Sequence, residues 1–467
     1  VCGNFNIVHP GHLRLLNFAA DCGDLLVVGV LADRVGSALV KEELRLEGMR
    51  SIGVVDYAFI LRGPPGEFIA RLRPDIVVKG REHESAFNPE QAAVDAYGGR
   101  LLFSSGEVQF SSLDLLRHEL EETAPSTIQL PRDFPQRHGF AIADLVPLMG
   151  KFAGFNVAVI GDLIVDEYVS CEALGMSQED PTLVVAPIAH DRFVGGAGIV
   201  AAHARGLGAE VIYLGVAGED EAAQFAAGML KKHQVKTVLF TDESRPTTLK
   251  QRYRANNKTL LRVSHMRQHD ISGVIAARIL GQIEAILGEI DLLVFSDFNY
   301  GGLPQPLVEA IAERCRGHGV MMVADSQASS QLADVSRFHG MRLLTPTEHE
   351  ARLAVQDSRS GLVILADALQ RKSAAESLLI TLGQEGVLIH APDGKSFLTD
   401  RLPAFNTAPK DPAGAGDSLL ISAALALAAG ADIWQAAYLG SLAAACQVGR
   451  IGNMPISVEE LATELQA

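Results

Sequence analysis

The stretch at residues 410–420, KDPAGAGDSLL, carries the pattern D-x-x-G-A-G-D immediately before a long apolar run. Consecutive small residues at the start of a helix leave backbone amides free to bind an anion, so Gly414, Ala415 and Gly416 predict an anion hole. Asp417 at its mouth is placed to take a proton from a substrate hydroxyl. The alternative is an ordinary glycine-rich turn capped by Asp417, but the restrictive pattern and its position before a helix favour the site.

The sequence before this motif alternates short apolar runs with helical patterns. The runs NVAVIGDLIVD (156–166) and DLLVFSD (291–297) are typical of buried strands. Such alternation predicts an α/β domain built on a parallel sheet. Two β-rich segments, 182–194 and 247–263, interrupt the alternation, and we predict that they leave the main sheet as a flap.

From about residue 156 to the C-terminus, these motifs resemble the ribokinase-like carbohydrate kinases. The resemblance implies a ribokinase-like α/β domain with a small β lid that transfers the γ-phosphoryl group of ATP to a sugar hydroxyl. It is carried by GDLIVDEY, VGGAG, LKQRYRANNKTLLR, SDF, TPTEHE, TLGQEG and the glycine motif. The positions that it implies for substrate are Asp162, Asp166, Gly195, Gly196, Lys250, Arg252, Asp297 and Asp411. It implies Thr381, Gly383 and Gly386 for the nucleotide, and Glu350 near magnesium.

Four positions depart from the kinase pattern. Ile199 stands where the family has Asn, Tyr300 and Gln327 where it has Lys, and Thr347 where it has Asn. A buried polar group without a partner costs about 1–3 kcal/mol, so a site that lost several partners should not hold the same sugar in the same way. Either the acceptor differs or the kinase is weak; the retained base and anion hole favour a changed acceptor.

The start of the chain carries a second motif, GNFNIVHPGH, at residues 3–12. We expect His9, Gly11 and His12 to lie between a strand and a helix, where open α/β sheets collect ligands. Two imidazoles can donate hydrogen bonds to phosphate oxygens, and a glycine lets the phosphate approach the backbone. The alternative is a pair of surface histidines at a helix cap.

The first 118 residues resemble the cytidylyltransferase-like nucleotidyltransferases, which join a nucleoside triphosphate to a phosphorylated acceptor and release pyrophosphate. The resemblance implies a Rossmann-like domain in which His9, His12 and Lys79 are catalytic. The nucleotide-binding positions that it implies are Gly3, Phe5, Gly11, Arg45, Gly80, Ser111 and Ser112. Asn6 stands where the family has Asp, and Glu82 replaces the Asp of K-G-x-D.

Composition limits the partners and the compartment. The formal net charge of -16 argues against nucleic acid or an anionic membrane as a partner. The five cysteines show no C-x-x-C pair, which is typical of a reducing compartment, and no signal peptide or spanning segment is visible, so we expect a cytoplasmic protein. Mg²⁺ is expected with ATP, and CTP or another triphosphate remains open at the N-terminal site.

These observations predict three parts: a nucleotidyltransferase domain (1–120), a proline-containing linker with a connecting helix (121–153) and a kinase domain (154–467). Together the modules resemble the bifunctional heptose kinase/nucleotidyltransferases that make ADP-heptose for lipopolysaccharide, with the kinase second rather than first. The resemblance implies a homodimer formed through the flap. The rival hypothesis is that one module, the kinase above all, binds nucleotide or sugar without turnover as a regulatory or scaffolding domain.

Overall fold

The chain divides into two compact units, Val1–Pro125 and Ser126–Ala467. The structure, a computed structural model, describes residues 1–6, 8, 10–34, 38, 40–80, 88–104, 127–177, 180–255, 258–327, 334–394 and 396–466. Within those ranges, no helix combines the length and the apolarity that crossing a bilayer would require.

The first unit alternates parallel strands with helices, as the sequence predicts. Its strands are β1 (Cys2–Gly3), β2 (Val27–Leu31), β3 (Tyr57–Leu61), β4 (Ile76–Gly80) and β5 (Arg100–Ser104). Its described helices are Pro10–Asp21, Glu42–Arg50, Pro65–Leu72 and Pro89–Asp95. Strands β1, β2 and β3 pair in that order, and β4 pairs with β5. Val28 and Val30 of β2 are fully buried with Leu16 and Met49 from the flanking helices, which fixes the first two helices on the sheet.

The second unit is built on a nine-stranded sheet in the order β10-β9-β6-β13-β14-β15-β16-β17-β18. The pairs are parallel as far as β16, and β17 and β18 add antiparallel at one edge. The strands of this sheet are β6 (Asn156–Gly161), β9 (Glu210–Ala217), β10 (Lys236–Thr241), β13 (Leu292–Asp297), β14 (Met321–Ser326), β15 (Leu343–Leu344), β16 (Ser377–Thr381), β17 (Val387–Asp393) and β18 (Ser396–Leu402).

Helices cover both faces of this sheet. Successive residues of one strand enter different hydrophobic clusters: Val157 and Val159 of β6 join one, and Ala158 and Ile160 join the other. This is the period of two expected of a strand that is buried on both faces. The longer described helices are Ala197–Gly206, Glu221–Lys232, Gly273–Ile286, Gln305–His318, Glu348–Val355, Leu362–Ser373, Ala415–Ala428, Ile433–Val448 and Val458–Gln466.

Four strands leave the main sheet and form a separate lid sheet, so the predicted flap is confirmed. They are β7 (Leu163–Met176), β8 (Leu183–Gly196), β11 (Thr248–Ala255) and β12 (Lys258–His265), in the order β12-β11-β7-β8. Because β7 follows β6 after a single residue, the lid begins at the carboxyl end of the main sheet. The lid therefore starts where ligands collect in open α/β sheets.

The predicted linker differs from the structure over its described part. Residues 127–153 hold the short helices Asp133–Arg137 and Leu145–Met149, and the side chains of Phe134, Leu145 and Phe152 are fully buried in the core of the second unit. The prolines of this segment are typical of a linker, whereas its apolar residues are typical of a packed segment. This segment is a packed part of the larger unit, and the predicted domain boundaries themselves stay a prediction.

Candidate active sites

A cavity of about 630 Å³ opens beside the lid of the second unit. Thr381 ends β16, Gln327 directly follows β14, and Thr345 directly follows β15; all three line the cavity. The cavity thus lies at the carboxyl ends of parallel strands, and it also meets the first turn of the helix Ala415–Ala428. Strand ends and a helix N-terminus together make a site for an anionic ligand.

The predicted anion hole is part of this cavity. Gly414, Ala415 and Gly416 all line it. Gly414 has φ +77°, and a Cβ there would come within 2.6 Å of the Asn453 Oδ1, so both backbone conformation and space require glycine. The predicted binding of an anion by the backbone amides at this helix start stays a prediction.

Asp411 holds the loop that leads into the anion hole. Its carboxylate accepts hydrogen bonds from the Tyr168 hydroxyl at 2.7 Å, the Ala413 amide at 3.1 Å and the Gly452 amide at 3.3 Å. Burial alone would raise the pKa of Asp411, but these donors stabilise the carboxylate and lower that pKa below its ordinary value. These bonds join the loop to the lid and to the C-terminal turn, and the predicted substrate contact of Asp411 stays a prediction.

Asp417 lies in the first turn of the helix Ala415–Ala428 and lines the cavity. Its side chain is buried, and the Gln327 amide donates to its Oδ1 at 3.4 Å. Burial and the negative charge of Asp166 raise the pKa of Asp417 to about 7, against a partial opposing effect of Lys250. A carboxyl that ionises near neutrality at the mouth of an anion hole has the properties of a general base.

Asp166, Lys250 and Arg252 meet at the lid side of the cavity, and their predicted contact with substrate stays a prediction. The Arg252 Nη2 donates to the Asp166 Oδ1 at 3.3 Å, and Asn453 donates to the other oxygen at 3.4 Å. A Cβ on Gly195 would come within 2.3 Å of the Asp166 Oδ2, so glycine makes room for this carboxylate. Burial raises the pKa of Asp166, and the two cations oppose that rise. Gly196 also lines the cavity.

Tyr300, which replaces the lysine of the kinase pattern, belongs to an aromatic wall beneath Lys250. The Lys250 Nζ lies 5.0 Å from the Phe298 ring centroid and 5.3 Å from that of Tyr300. Ile164 packs against both rings. The rings attract the ammonium group and hold it at the edge of the cavity. Ile199, the other apolar departure, is fully buried in the helix Ala197–Gly206.

Two carboxylates, Asp325 and Glu350, line the cavity near Asp417. Thr347 and Glu350 form a capping box: the Thr347 amide donates to the Glu350 Oε2 at 2.7 Å, and the Glu350 amide donates to the Thr347 Oγ1 at 3.2 Å. Thr347 is therefore a helix cap. Burial, then the charges of Glu350 and Asp417, raise the pKa of Asp325 well above its usual range.

This carboxylate pair suits a hard cation. The Asp325 Oδ1 is buried without a hydrogen-bond partner, and Asp325 and Glu350 repel each other in the absence of a counter-charge. Oxygen ligands of this kind are what Mg²⁺ prefers. No group of three potential metal ligands occurs in the part of the chain that the structure describes.

A largely apolar part of the cavity, which we call the apolar slot, is lined mainly by small side chains. Its walls are Thr381, Gly383, Gly386, Val387, Ala404, Phe405, Asn406, Ala444, Ala445 and Val448. A Cβ on Gly386 would touch the Leu402 oxygen at 2.1 Å, and the Asn406 side chain donates to the Ala445 oxygen at 2.9 Å, so these walls pack together. A slot between small side chains fits a flat heterocycle. The sequence interpretation missed Asn406, Phe405 and Asn453, because they belong to no local motif.

Asp162 and Asp297 do not line the cavity among the residues described. The Asp162 Oδ2 accepts from the amides of Phe298 at 2.8 Å and Tyr300 at 3.4 Å, so it supports the loop that carries the aromatic wall. Asp297 accepts from the Ser326 hydroxyl at 2.7 Å and from the Arg337 guanidinium at 2.9 Å. In this structure both carboxylates are satisfied by the protein, and their predicted contact with substrate stays a prediction.

Several predicted site residues of the first unit contact other residues of that unit, and their predicted roles stay predictions. His12 lies edge-on to the Phe5 ring with the centroids 5.1 Å apart, and Lys79 at the end of β4 pairs with Glu90 at 2.9 Å. The buried Arg45 guanidinium donates to the Asn4 oxygen and to Asp33, both at 2.6 Å.

The rest of that site is less fully described. Gly3 and Gly80 end β1 and β4, and Gly11 lies in the first helix. His9, Ser111 and Ser112 lie outside the described residues.

Two family models match the chain. Residues 155–460 match the model for pfkB family carbohydrate kinases, and residues 1–109 match the cytidylyltransferase-like model. The bifunctional protein HldE of Nitrobacter hamburgensis is 31% identical over 324 residues, which cover 68% of this chain and 65% of that protein. The HldE of Helicobacter hepaticus is 32% identical over 66% of this chain and 63% of that protein. The chain spans just under two thirds of the length of these curated relatives.

Solved structures share the fold of the second unit. Phosphofructokinase-2 from Escherichia coli, in complex with potassium, aligns with a TM-score of 0.54 at 15% identity, over 67% of this chain and 98% of that chain. Arabidopsis thaliana ribokinase, complexed with ribose and ATP, aligns with a TM-score of 0.52 at 16% identity, over 67% of this chain and 99% of that chain. At these identities the likeness shows a common ribokinase-like fold.

The ionisation of Asp417 should be visible in the stability of the protein. Its pKa is raised to about 7 when folded and is near 3.8 when unfolded, so the folded state is progressively destabilised as pH rises from about 4 to about 7. Asp417→Asn removes this effect. Without ligand, we expect the variant to melt about 2–4 °C or more above the wild type at pH 8 and close to it at pH 4, measured by calorimetry.

Asp393→Asn, at the exposed end of β17, is the control for loss of one negative charge. A melting difference for Asp417→Asn that is the same at both pH values would contradict the assigned ionisation.

Proposed function

Because the chain belongs to the pfkB family of carbohydrate kinases, we propose that its larger unit phosphorylates a sugar or sugar phosphate with ATP. We propose further that the first unit transfers a nucleotidyl group from a nucleoside triphosphate to a sugar 1-phosphate and releases pyrophosphate. The observation that carries the kinase proposal is the buried Asp417 between the anion hole and the Asp166–Arg252 pair, in one cavity.

The residues of the cavity supply each part of the phosphoryl transfer. Asp417 takes the proton from the acceptor hydroxyl, whose oxygen forms a bond to the γ-phosphorus while the bond to the β,γ-bridging oxygen breaks and ADP leaves. The amides at Gly414 and Gly416 stabilise the negative charge on the transferring group. Asp166 and Arg252 orient the acceptor.

Magnesium is the proposed cofactor. Asp325 and Glu350 would hold it directly or through water, and it would offset the charge of the triphosphate. ATP is proposed for the kinase; the triphosphate used by the first unit is ATP, CTP or another.

The acceptor of the kinase is proposed to carry an anionic group. Lys250 and Arg252 both line the lid side of the cavity, where their charges exceed that of Asp166. Two cations fit a phosphate group on the acceptor. The resemblance of the whole chain to heptose kinase/nucleotidyltransferases supports a heptose-like sugar phosphate, and with it a place in ADP-heptose and lipopolysaccharide synthesis in the cytoplasm.

The rival function is a kinase unit that binds nucleotide or sugar without turnover. The observation in its favour is Gln327, a neutral amide that contacts both Asp325 and Asp417 at 3.4 Å where the kinase pattern has lysine. The buried carboxylates around Gln327 lack that fixed positive charge.

Asp417→Asn distinguishes turnover from binding alone. Without the base, ADP formation with the acceptor should fall by at least about 100-fold, whereas MgATP affinity should stay within twofold, because asparagine keeps the shape of the site. Rates are followed by phosphorus NMR with a panel of heptose and hexose phosphates, and affinity by calorimetry. Asp393→Asn is the control, and equal turnover by wild type and Asp417→Asn would refute the kinase proposal.

The same NMR assay separates the two activities. Lys79→Ala removes the cation at the end of β4, so pyrophosphate release should fall by roughly 100-fold while ADP formation is unchanged. Arg71→Ala, on an exposed position of the same unit, is the control. Loss of pyrophosphate release from Arg71→Ala as well, or from neither variant, would contradict the role of Lys79.

A homodimer formed through the lid sheet is also proposed. The lid exposes large apolar side chains, among them Ile188 at 71% and Leu261 at 57% of their full accessible surface. Ile188→Asp with Leu261→Asp should convert the dimer to a monomer in sedimentation velocity experiments, because charges would be buried at the interface. Val363→Asp, on an exposed helix position, should leave the dimer intact; a monomeric wild type would contradict the proposal.

A further inference from the structure

Three residues that precede the kinase fold, 127–129, run beside the wall of the cavity; we call them the strap. The Gln129 amide donates to the Phe405 oxygen at 2.7 Å, and the Thr407 amide donates to the Thr127 oxygen at 3.3 Å. Ile128 and Asn406 form the antiparallel bridge between these bonds. The strap therefore adds a short strand to the backbone of residues 405–407.

Residues 405–407 include part of the apolar slot. Phe405 and Asn406 line the cavity. The Asn406 side chain donates a hydrogen bond to the Ala445 oxygen in the helix Ile433–Val448. The Asn406 backbone forms the antiparallel bridge with Ile128 of the strap. The position of this wall therefore depends on contacts from both sides, and one of them comes from outside the matched kinase region of residues 155–460.

The residues after the strap anchor it firmly. Phe134 is fully buried and stacks on Tyr438, with ring centroids 6.3 Å apart. The His138 ring stacks on Trp434 at 3.9 Å, and its Nε2 contacts the Asp400 carboxylate at 2.7 Å. Because the segment after the strap is packed in this way, the strap is held in place and can fix the position of the wall.

We propose that the strap positions the nucleotide wall, so that the nucleotide affinity of the larger unit depends on the backbone pairing of residues 127–129 with 405–407. The inference rests on the proposed function, since it takes the apolar slot as the nucleotide site. By linkage, a bound nucleotide stabilises the strap as much as the strap stabilises binding. Residues 127–129, which belong to the larger unit, are thereby part of its nucleotide site.

Substitutions at Gln129 test the pairing directly in the full chain, because its side chain is exposed. Gln129→Pro removes the amide donor, and Gln129→Ala keeps it. We expect MgADP affinity, measured by calorimetry, to fall roughly three- to tenfold for the proline variant, the effect of losing one backbone hydrogen bond, and to be unchanged for the alanine variant. Wild-type affinity in Gln129→Pro would overturn the inference.

A destabilised control separates positioning from general loss of stability. Ile283→Ala leaves the strap and its anchors intact but creates a void in the hydrophobic cluster on the other face of the sheet, so it should lower the melting temperature without changing MgADP affinity. An equal loss of affinity in Ile283→Ala and Gln129→Pro would overturn the inference, because positioning by the strap would then not be specific.

If Gln129→Pro fails to fold, hydrogen exchange on the wild-type protein decides. Saturating MgADP should slow exchange of the Gln129 and Thr407 amides, and unchanged exchange at both would overturn the inference. A wild type that binds no MgADP would refute the proposed nucleotide site itself, a result distinct from a strap that has no effect on a nucleotide that does bind.

Discussion

The carboxylate of Asp411 is the constraint on which the architecture of the larger site depends. It accepts hydrogen bonds from the lid residue Tyr168, from the Ala413 amide in the glycine loop and from the Gly452 amide near the C-terminus. These three segments are distant in sequence and must meet for the anion hole to face the lid. One ionised group satisfies all three donors, which is why its pKa is lowered while those of its carboxylate neighbours in the cavity are raised.

The cavity concentrates negative charge at its centre and positive charge at its lid. Asp325 and Asp417 are buried with raised pKa values, and Gln327 offers them one neutral amide between them. Lys250 instead rests on the Phe298 and Tyr300 rings at the edge. Compared with the kinase pattern, the middle of the site lacks a positive charge at Gln327. A bound cation would therefore have to neutralise more of the negative charge of the carboxylates and of the substrate phosphates. Of the four departures from the kinase pattern, those at Tyr300 and Gln327 account for this loss of positive charge.

Local patterns predicted much of this molecule. Apolar runs predicted the strands, and the glycine motif predicted a helix start at the cavity. Hydrogen bonds between residues that are distant in sequence were not predictable. Asp162, at the end of a strand, accepts hydrogen bonds from backbone amides that are 136 and 138 residues away. The hydrogen bonds from the Arg45 guanidinium to the Asn4 oxygen and to Asp33 were likewise not readable from a local pattern. Prolines predicted a linker in the segment where Phe134 and Phe152 are core residues. Their burial was not predictable, because the residues that cover them are distant in sequence.

Trp434 is the only tryptophan in the sequence, and it lies against the His138 ring where the segment after the strap is anchored. The tryptophan emission of the protein therefore comes from this one position, where the stacked imidazole of His138 is part of the environment of the indole. The first unit contains no tryptophan and contributes nothing to that signal. The molecule thus carries a native optical reporter for the junction between its connecting segment and its kinase fold, with no label to introduce.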